Sequence, residues 1–182
     1  MRTRTALTIL VSALALSACS SDAPTAIPSA TQASASAGAS RALSAPGARP
    51  MSGHCELTTV ATVPFPAPPV FRQTAEGTCQ MTHLGKTAVH FVQVANFGTF
   101  TQQSIELTYT AANGDVLRAA SSGTSRPNPT GVSFSSTIIF LGGTGRFTDA
   151  TGEVHVDGTA NLAAATSQYT LDGWIVFNAG GK

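Results

Sequence analysis

The chain has 182 residues, 42% of them hydrophobic and only 10% charged, against about 25% charged in an ordinary soluble domain. From Met51 onward six basic residues stand against eight acidic ones, a net charge of −2, which excludes the cationic excess that a nucleic-acid surface needs. The length suits one domain with appendages, and the frequent Thr, Ser, Gly and Ala suit a β-rich extracytoplasmic protein better than a cytosolic helical one.

At the N-terminus Arg2 and Arg4 precede an apolar segment, Ala6 to Ala15, too short to span a bilayer as a stable helix and patterned as a secretory signal. It ends in Leu16-Ser17-Ala18-Cys19, which resembles the lipobox of bacterial lipoproteins. The resemblance implies a signal peptide over 1–18 and acylation of Cys19 as the new N-terminus; the alternative is an ordinary signal peptide cut near Ala18. Two or more acyl chains hold a protein on a membrane where one does not. The expected location is therefore the bacterial cell envelope, lipid-anchored and extracytoplasmic. Ser20 and Ser21 stand where inner-membrane retention uses an aspartate, so the outer membrane is expected if the cell has one.

Residues 19–50 are rich in Ala, Ser and Pro and lack an apolar period, so they cannot bury enough surface to offset the entropy of ordering. They read as a disordered tether reaching roughly 30 Å from the lipid. The folded domain is assigned to 51–182, with its first strand following His54-Cys55.

From there short β-branched and aromatic runs are punctuated by glycine and proline, with no helical period. Strands are predicted over 56–63, 70–76, 78–84, 86–97, 105–111, 116–123, 131–141, 153–162 and 168–177. Pro64, Pro66, Pro68 and Pro69 separate the first two, since proline cannot lie in a central strand. Ile105, Leu107 and Tyr109 alternate with polar residues, and Asn113-Gly114 predicts a type I′ turn. Val132, Phe134, Ser136, Ile138 and Phe140 alternate likewise, as do Val154 and Val156, then Tyr169, Leu171, Gly173, Ile175 and Phe177. Consecutive strands with short turns predict an all-β fold, a closed antiparallel barrel without exposed edges. Gly142, Gly143, Gly145 and Gly152 form a corner on which closure of the cylinder is expected to depend.

With Cys19 committed to lipid, Cys55 and Cys79 form an even pair in an oxidising compartment, which predicts a disulfide. It would close a loop of about 25 residues and stabilise the domain by roughly 3 kcal/mol. A Cys2His2 metal site with His54 and His83 has a spacing that fits no common zinc module, so no metal or cofactor is expected. His90, Glu106, Arg118, His155 and Asp157 sit at alternating strand positions. They either project into a cavity as acid or base groups or lie on a solvated outer face, as alternating polar residues of antiparallel strands usually do. Arg146 and Asp149 in the corner read as a structural salt bridge or backbone cap. No nucleophile elbow, phosphate loop or metalloprotease helix is present in the sequence.

The run Ile139-Phe140-Leu141-Gly142-Gly143-Thr144-Gly145-Arg146-Phe147-Thr148-Asp149-Ala150-Thr151-Gly152 resembles the glycine-rich signature of dirigent proteins, and more loosely the corresponding corner of allene oxide cyclases. Thr82-His83-Leu84-Gly85-Lys86 and Thr110-Ala111-Ala112-Asn113-Gly114-Asp115 are similar to segments of bacterial secreted proteins of the same superfamily. The resemblance implies a single eight-stranded calycin-like barrel with a central cavity, and a homo-oligomer, because related barrels form dimers or trimers. It transfers no catalytic residue. Three functions follow as expectations. The first is a membrane-anchored lipoprotein whose barrel binds a small apolar ligand or a partner. The second is a cyclase or isomerase of the dirigent or allene oxide cyclase type acting on a small hydrophobic substrate, and the third is a structural envelope protein. A binder needs an apolar lining, whereas a cyclase needs an inward ionisable group with a perturbed pKa.

Overall fold

The computed structural model describes residues 46–178. Eight strands follow one another: β1 (Arg49–Pro64), β2 (Val70–Met81), β3 (Gly85–Asn96), β4 (Thr101–Ala111), β5 (Val116–Asn128), β6 (Gly131–Gly143), β7 (Thr151–Asn161) and β8 (Thr166–Val176). Each pairs antiparallel with the next, and β8 pairs back onto β1 from Arg49↔Ile175 to Thr58↔Thr166, closing an up-and-down barrel. Every strand thus has two partners, and the backbone edges are closed except along the end of β1 beyond Thr58, which has no β8 partner.

The period-2 patterns set which side faces inward. On β6 Val132, Ser136, Ile138 and Phe140 are buried while Ser133, Ile139 and Leu141 are exposed. On β8 Tyr169, Leu171 and Ile175 are buried, and on β7 Val154 and Val156. These inward positions are the ones the sequence alternation singles out.

Four local expectations are corrected. The predicted strands over 70–76 and 78–84 are one strand, because Gly77 is paired to Leu57 rather than turned. A Cβ at Gly77 would meet the Glu56 carbonyl, so the glycine serves close approach of two strands, not a break. The first strand begins at Arg49, earlier than His54-Cys55, because its opening residues pair with the end of β8. Ile105 is exposed, although Leu107 and Tyr109 are buried. Val92 pairs with Glu106 and Gln93 with Ser104, so Ile105 is the extra residue of a bulge, which reverses the phase of the strand before it. The β4–β5 turn is not type I′: Gly114 has φ +86° while Asn113 is not in the positive-φ region. Ala111 accepts from Gly114 N–H at 2.9 Å and donates to the Asp115 carbonyl at 2.9 Å, the three-residue loop in which a type I turn precedes a left-handed glycine.

The glycine corner does not close the cylinder; the β1–β8 seam does. Its role is to cap one end. Between β6 and β7 the chain makes a 3₁₀ turn, Gly145–Phe147, which drives the Phe147 ring, 0% exposed, into the core among Met51, Leu117, Phe140 and Ile175. Phe147 packs on Phe177 with ring centroids 5.5 Å apart, and the guanidinium groups of Arg146 and Arg49 cover the two rings at 4.8 Å each. Thr144 ties the corner to β5, donating from N–H to the Val116 carbonyl (2.8 Å) and accepting from Val116 N–H at Oγ1 (2.9 Å). Gly145 has φ +54°, and Asp115 occupies the space a Cβ would need. Asp115 then takes the Arg146 N–H at 3.4 Å and the Arg146 side chain at 3.7 Å. The structural ion pair expected for Arg146 is therefore made with Asp115, on the neighbouring turn, and not with Asp149, which is exposed.

Cys55 and Cys79 sit directly opposite each other on β1 and β2 and are joined by a disulfide, with Cα atoms 4.0 Å apart. Both are buried, so the bridge ties the two strands from inside the barrel. Oxidised, the pair offers no thiolate to a metal; His83 instead contacts the Pro50 carbonyl at 2.9 Å and His54 lies beside Glu56 at 3.6 Å.

Candidate ligand-binding site

The two ends of the barrel differ. At the capped end lie the start of β1, the end of β8 and the turns β2–β3, β4–β5 and β6–β7. At the other end, under the loops β1–β2, β3–β4, β5–β6 and β7–β8, the interior is open as a cavity of about 410 Å³, within the range of small-molecule sites.

Each lining side chain follows from strand phase. Counting inward positions up β2 from Cys79 gives Gly77, Ala75, Gln73 and Phe71; β3 supplies Phe91, Gln93 and Ala95. The small residues Ala75, Ala95, Ser121 and Ala160 leave the volume that larger side chains fill at the capped end. The floor is Leu57, Leu107, Ile138, Val156 and Tyr169, and the walls carry the rings of Phe71, Phe91, Phe97 and Phe134. Phe71 meets Phe97 edge-on at 5.7 Å, and Phe134 meets Tyr169 edge-on at 6.2 Å.

Polar groups punctuate this surface in pairs. Gln73 and Gln93 face each other across β2 and β3, with Gln93 Nε2 donating to Gln73 Oε1 at 3.0 Å. Gln102 Nε2 donates to Ser136 Oγ at 2.8 Å. Gln93 Oε1 is buried without a hydrogen-bond partner, a cost that a small rotation towards a bound donor would relieve. No lining residue is Asp, Glu, Lys, Arg or His. The one titratable group is the Tyr169 phenol, pushed up to about 12 by burial and lowered in part by its hydrogen bond with Tyr109. At neutral pH it is a hydrogen-bonding hydroxyl and not a base.

The weighed acid and base residues lie elsewhere. Glu106, Arg118, His155 and Asp157 are exposed on the outer face, and His90 is half-buried there, its side chain 41% accessible. His90 sits 3.5 Å from Glu76 and His155 3.2 Å from Asp157. None of the five is brought to the cavity or to another of the set other than the His155–Asp157 neighbours. Among the described residues no group of three or more His, Cys, Asp or Glu could hold a metal ion. Cys19, the expected lipidation site, lies outside the described residues. The sequence alternation of β6 already places Ser136 inward, but the wall glutamines Gln73, Gln93 and Gln102 and the serines Ser121, Ser125 and Ser167 are not singled out by sequence reasoning. Their signal was phase: Gln73 and Gln93 are in register with the buried Ala75 and Ala95.

No family model, curated protein or solved structure matches this chain.

Proposed function

We propose that the protein is a lipid-anchored, extracytoplasmic barrel that binds a small, neutral, mainly apolar molecule in its open-ended cavity. The observation that carries this reading is the lining itself: aromatic and aliphatic walls, amide and hydroxyl groups at intervals, and no charged side chain. A charged ligand would lose its hydration there without gaining a counter-ion, whereas an apolar one gains burial and edge-on aromatic contact. The lipobox-like Leu16-Ser17-Ala18-Cys19 and the tether support an envelope location. The likeness of the 139–152 corner to dirigent and allene oxide cyclase proteins supports a barrel of that superfamily. For the cyclase alternative, the cavity carries no carboxylate, imidazole or amine, and its one ionisable group, the Tyr169 phenol, is pushed up to about 12 and so is no base at neutral pH, which favours binding over turnover.

Native mass spectrometry of the protein purified from its own cells tests the binding reading, with the expected result a co-purifying neutral molecule. A panel of neutral lipophilic compounds, each at about 100 times its Kd, should raise Tm by roughly 5–10 °C; no adduct and no shift would overturn the reading. Metabolic labelling with an alkyne fatty acid should mark the native chain and not a Cys19→Ala variant.

A further inference from the structure

We infer that the open end of the barrel is a membrane-docking surface, which seats its loop tips in the interface of a phospholipid bilayer. This goes beyond ligand binding and beyond any anchor at Cys19, because it rests on a different part of the molecule.

The four loops at this end read Phe65-Pro66-Ala67-Pro68-Pro69, Phe97-Gly98-Thr99-Phe100, Pro129-Thr130 and Leu162-Ala163-Ala164-Ala165. They contain no charged residue. The turns at the capped end, in contrast, hold His83, Asp115, Arg146 and Asp149. Of the seven exposed large apolar side chains among the described residues, Ile105, Ile139 and Leu141 are scattered along the outer wall of β4 and β6, whereas four lie at the open end, Val60 at 55% exposed, Val63 at 43%, Phe65 at 45% and Leu162 at 51%. The geometry makes them a projecting tip. β1 stops pairing with β8 at Thr58 but stays paired with β2 to Pro64↔Phe71, and β2 with β3 to Val70↔Asn96, so beyond the seam β1 continues as an arm held on one side only, the free edge of the β1–β2–β3 wall. Residues 65–69 at its end are all exposed. Beside it Thr59 N–H donates to the Ala165 carbonyl at 2.7 Å, which holds the β7–β8 turn against the arm's base. Phe97 N–H donates to the Pro69 carbonyl at 3.0 Å and braces the β3–β4 loop on the same arm.

Charge selects the partner. The charged residues nearest this rim on β2 and β5 are Arg72 and Arg126, both exposed and neither paired with a carboxylate among the described residues. Uncharged apolar tips behind a cationic collar fit a bilayer interface containing anionic lipid. The apolar rim is continuous with the cavity, since Phe97 and Leu162 belong to both. A molecule could therefore pass between lipid and barrel without crossing bulk water.

The test uses the unlipidated chain from Ser20 to Lys182, which keeps every described residue and the whole barrel core. In vesicle flotation it should bind phosphatidylcholine vesicles containing phosphatidylglycerol. Phe65→Ser with Leu162→Ser should weaken partitioning about tenfold or more, and Arg72→Gln or Arg126→Gln about fivefold each for the anionic vesicles. Orientation has its own readout. A tryptophan placed by Leu162→Trp should be quenched by brominated lipid, whereas the native Trp174, on β8 towards the capped end, should not. This measurement holds even if the serine variant fails to fold. Absent flotation, flotation unchanged by the tip substitutions, or equal quenching of both tryptophans would overturn the proposal. So would self-association in sedimentation velocity that the tip substitutions abolish while vesicles bind nothing, because the tip would then serve a second copy of the chain.

Discussion

The phenol oxygens of Tyr109 and Tyr169 lie 3.5 Å apart at the boundary between the packed half of the barrel and its cavity, and the Tyr169 oxygen is 3.8 Å from the Cys79 sulfur. A disulfide sulfur cannot donate, so the chain of contacts runs from the Tyr109 hydroxyl to Tyr169 and from the Tyr169 hydroxyl to sulfur. Burial pushes both phenols up, Tyr169 to about 12 and Tyr109 well above its ordinary value, with the neighbouring Tyr169 adding to the rise. These are the only tyrosines in the chain, which makes their ionisation directly visible. Native protein should show no tyrosinate absorbance at 295 nm below about pH 11. The unfolded chain ionises near pH 10, so the stability held in the neutral phenols is complete below pH 10 and falls as pH rises towards 12. Tyrosinate appearing at its ordinary pH while the barrel remains folded would contradict the buried placement.

Gly145 and Gly114 provide a matched pair of backbone tests. Both have positive φ, +54° and +86°, but a Cβ at Gly114 would meet nothing within 4 Å whereas one at Gly145 would run into the Asp115 carboxylate. Gly114→Ala should cost about 1 kcal/mol, the conformational term alone. Gly145→Ala should cost about 2–4 kcal/mol, because the Asp115–Arg146 contact must also shift. Urea denaturation of the two variants checks the difference; equal losses would mean that the corner tolerates the methyl group.

Filling the cavity should separate binding from folding. Ala160→Phe adds a ring at an inward, partly accessible position of the wall, and occupies volume that is otherwise open. The fluorescence enhancement of N-phenyl-1-naphthylamine expected with the wild-type chain should be lost, with Tm unchanged or slightly raised. Retained enhancement would place the probe outside the barrel.

Alanine at His90, Glu106, Arg118 and His155 together should leave that probe's affinity unchanged, since none of these side chains reaches the cavity. Each substitution should alter stability by no more than about 0.5 kcal/mol. A change in affinity measured in the same fluorescence titration would return these residues to the site.

What could be read beforehand depended on how local the determinant was. The β6 alternation from Val132 to Phe140 carried its own burial pattern, and the evenly spaced turns carried the antiparallel order of the strands but gave nine where the barrel has eight. Ile105 was misread because a bulge inserts one residue without changing residue type; only the pairing with β3 reveals it. Gly77 was misread as a break because close approach and turning both use glycine, and the Glu56 carbonyl that requires it is distant in sequence. The cavity was legible least. Whether Gln73 faces water or an enclosed void depends on how many strands close the ring and how small Ala75, Ala95 and Ser121 leave its centre.

The seam between β1 and β8 also imposes an order of assembly. Seven of the eight strand pairings join neighbours through short connections, so they incur little loop-closure entropy and can form early and locally. The eighth joins Arg49 to Ile175, at opposite ends of the described span, and cannot form until the meander has curled. Until that last zipper engages, two unsatisfied edges stay open to other chains, and the Cys55–Cys79 bridge, by locking β1 to β2, keeps one of those edges in register while it waits.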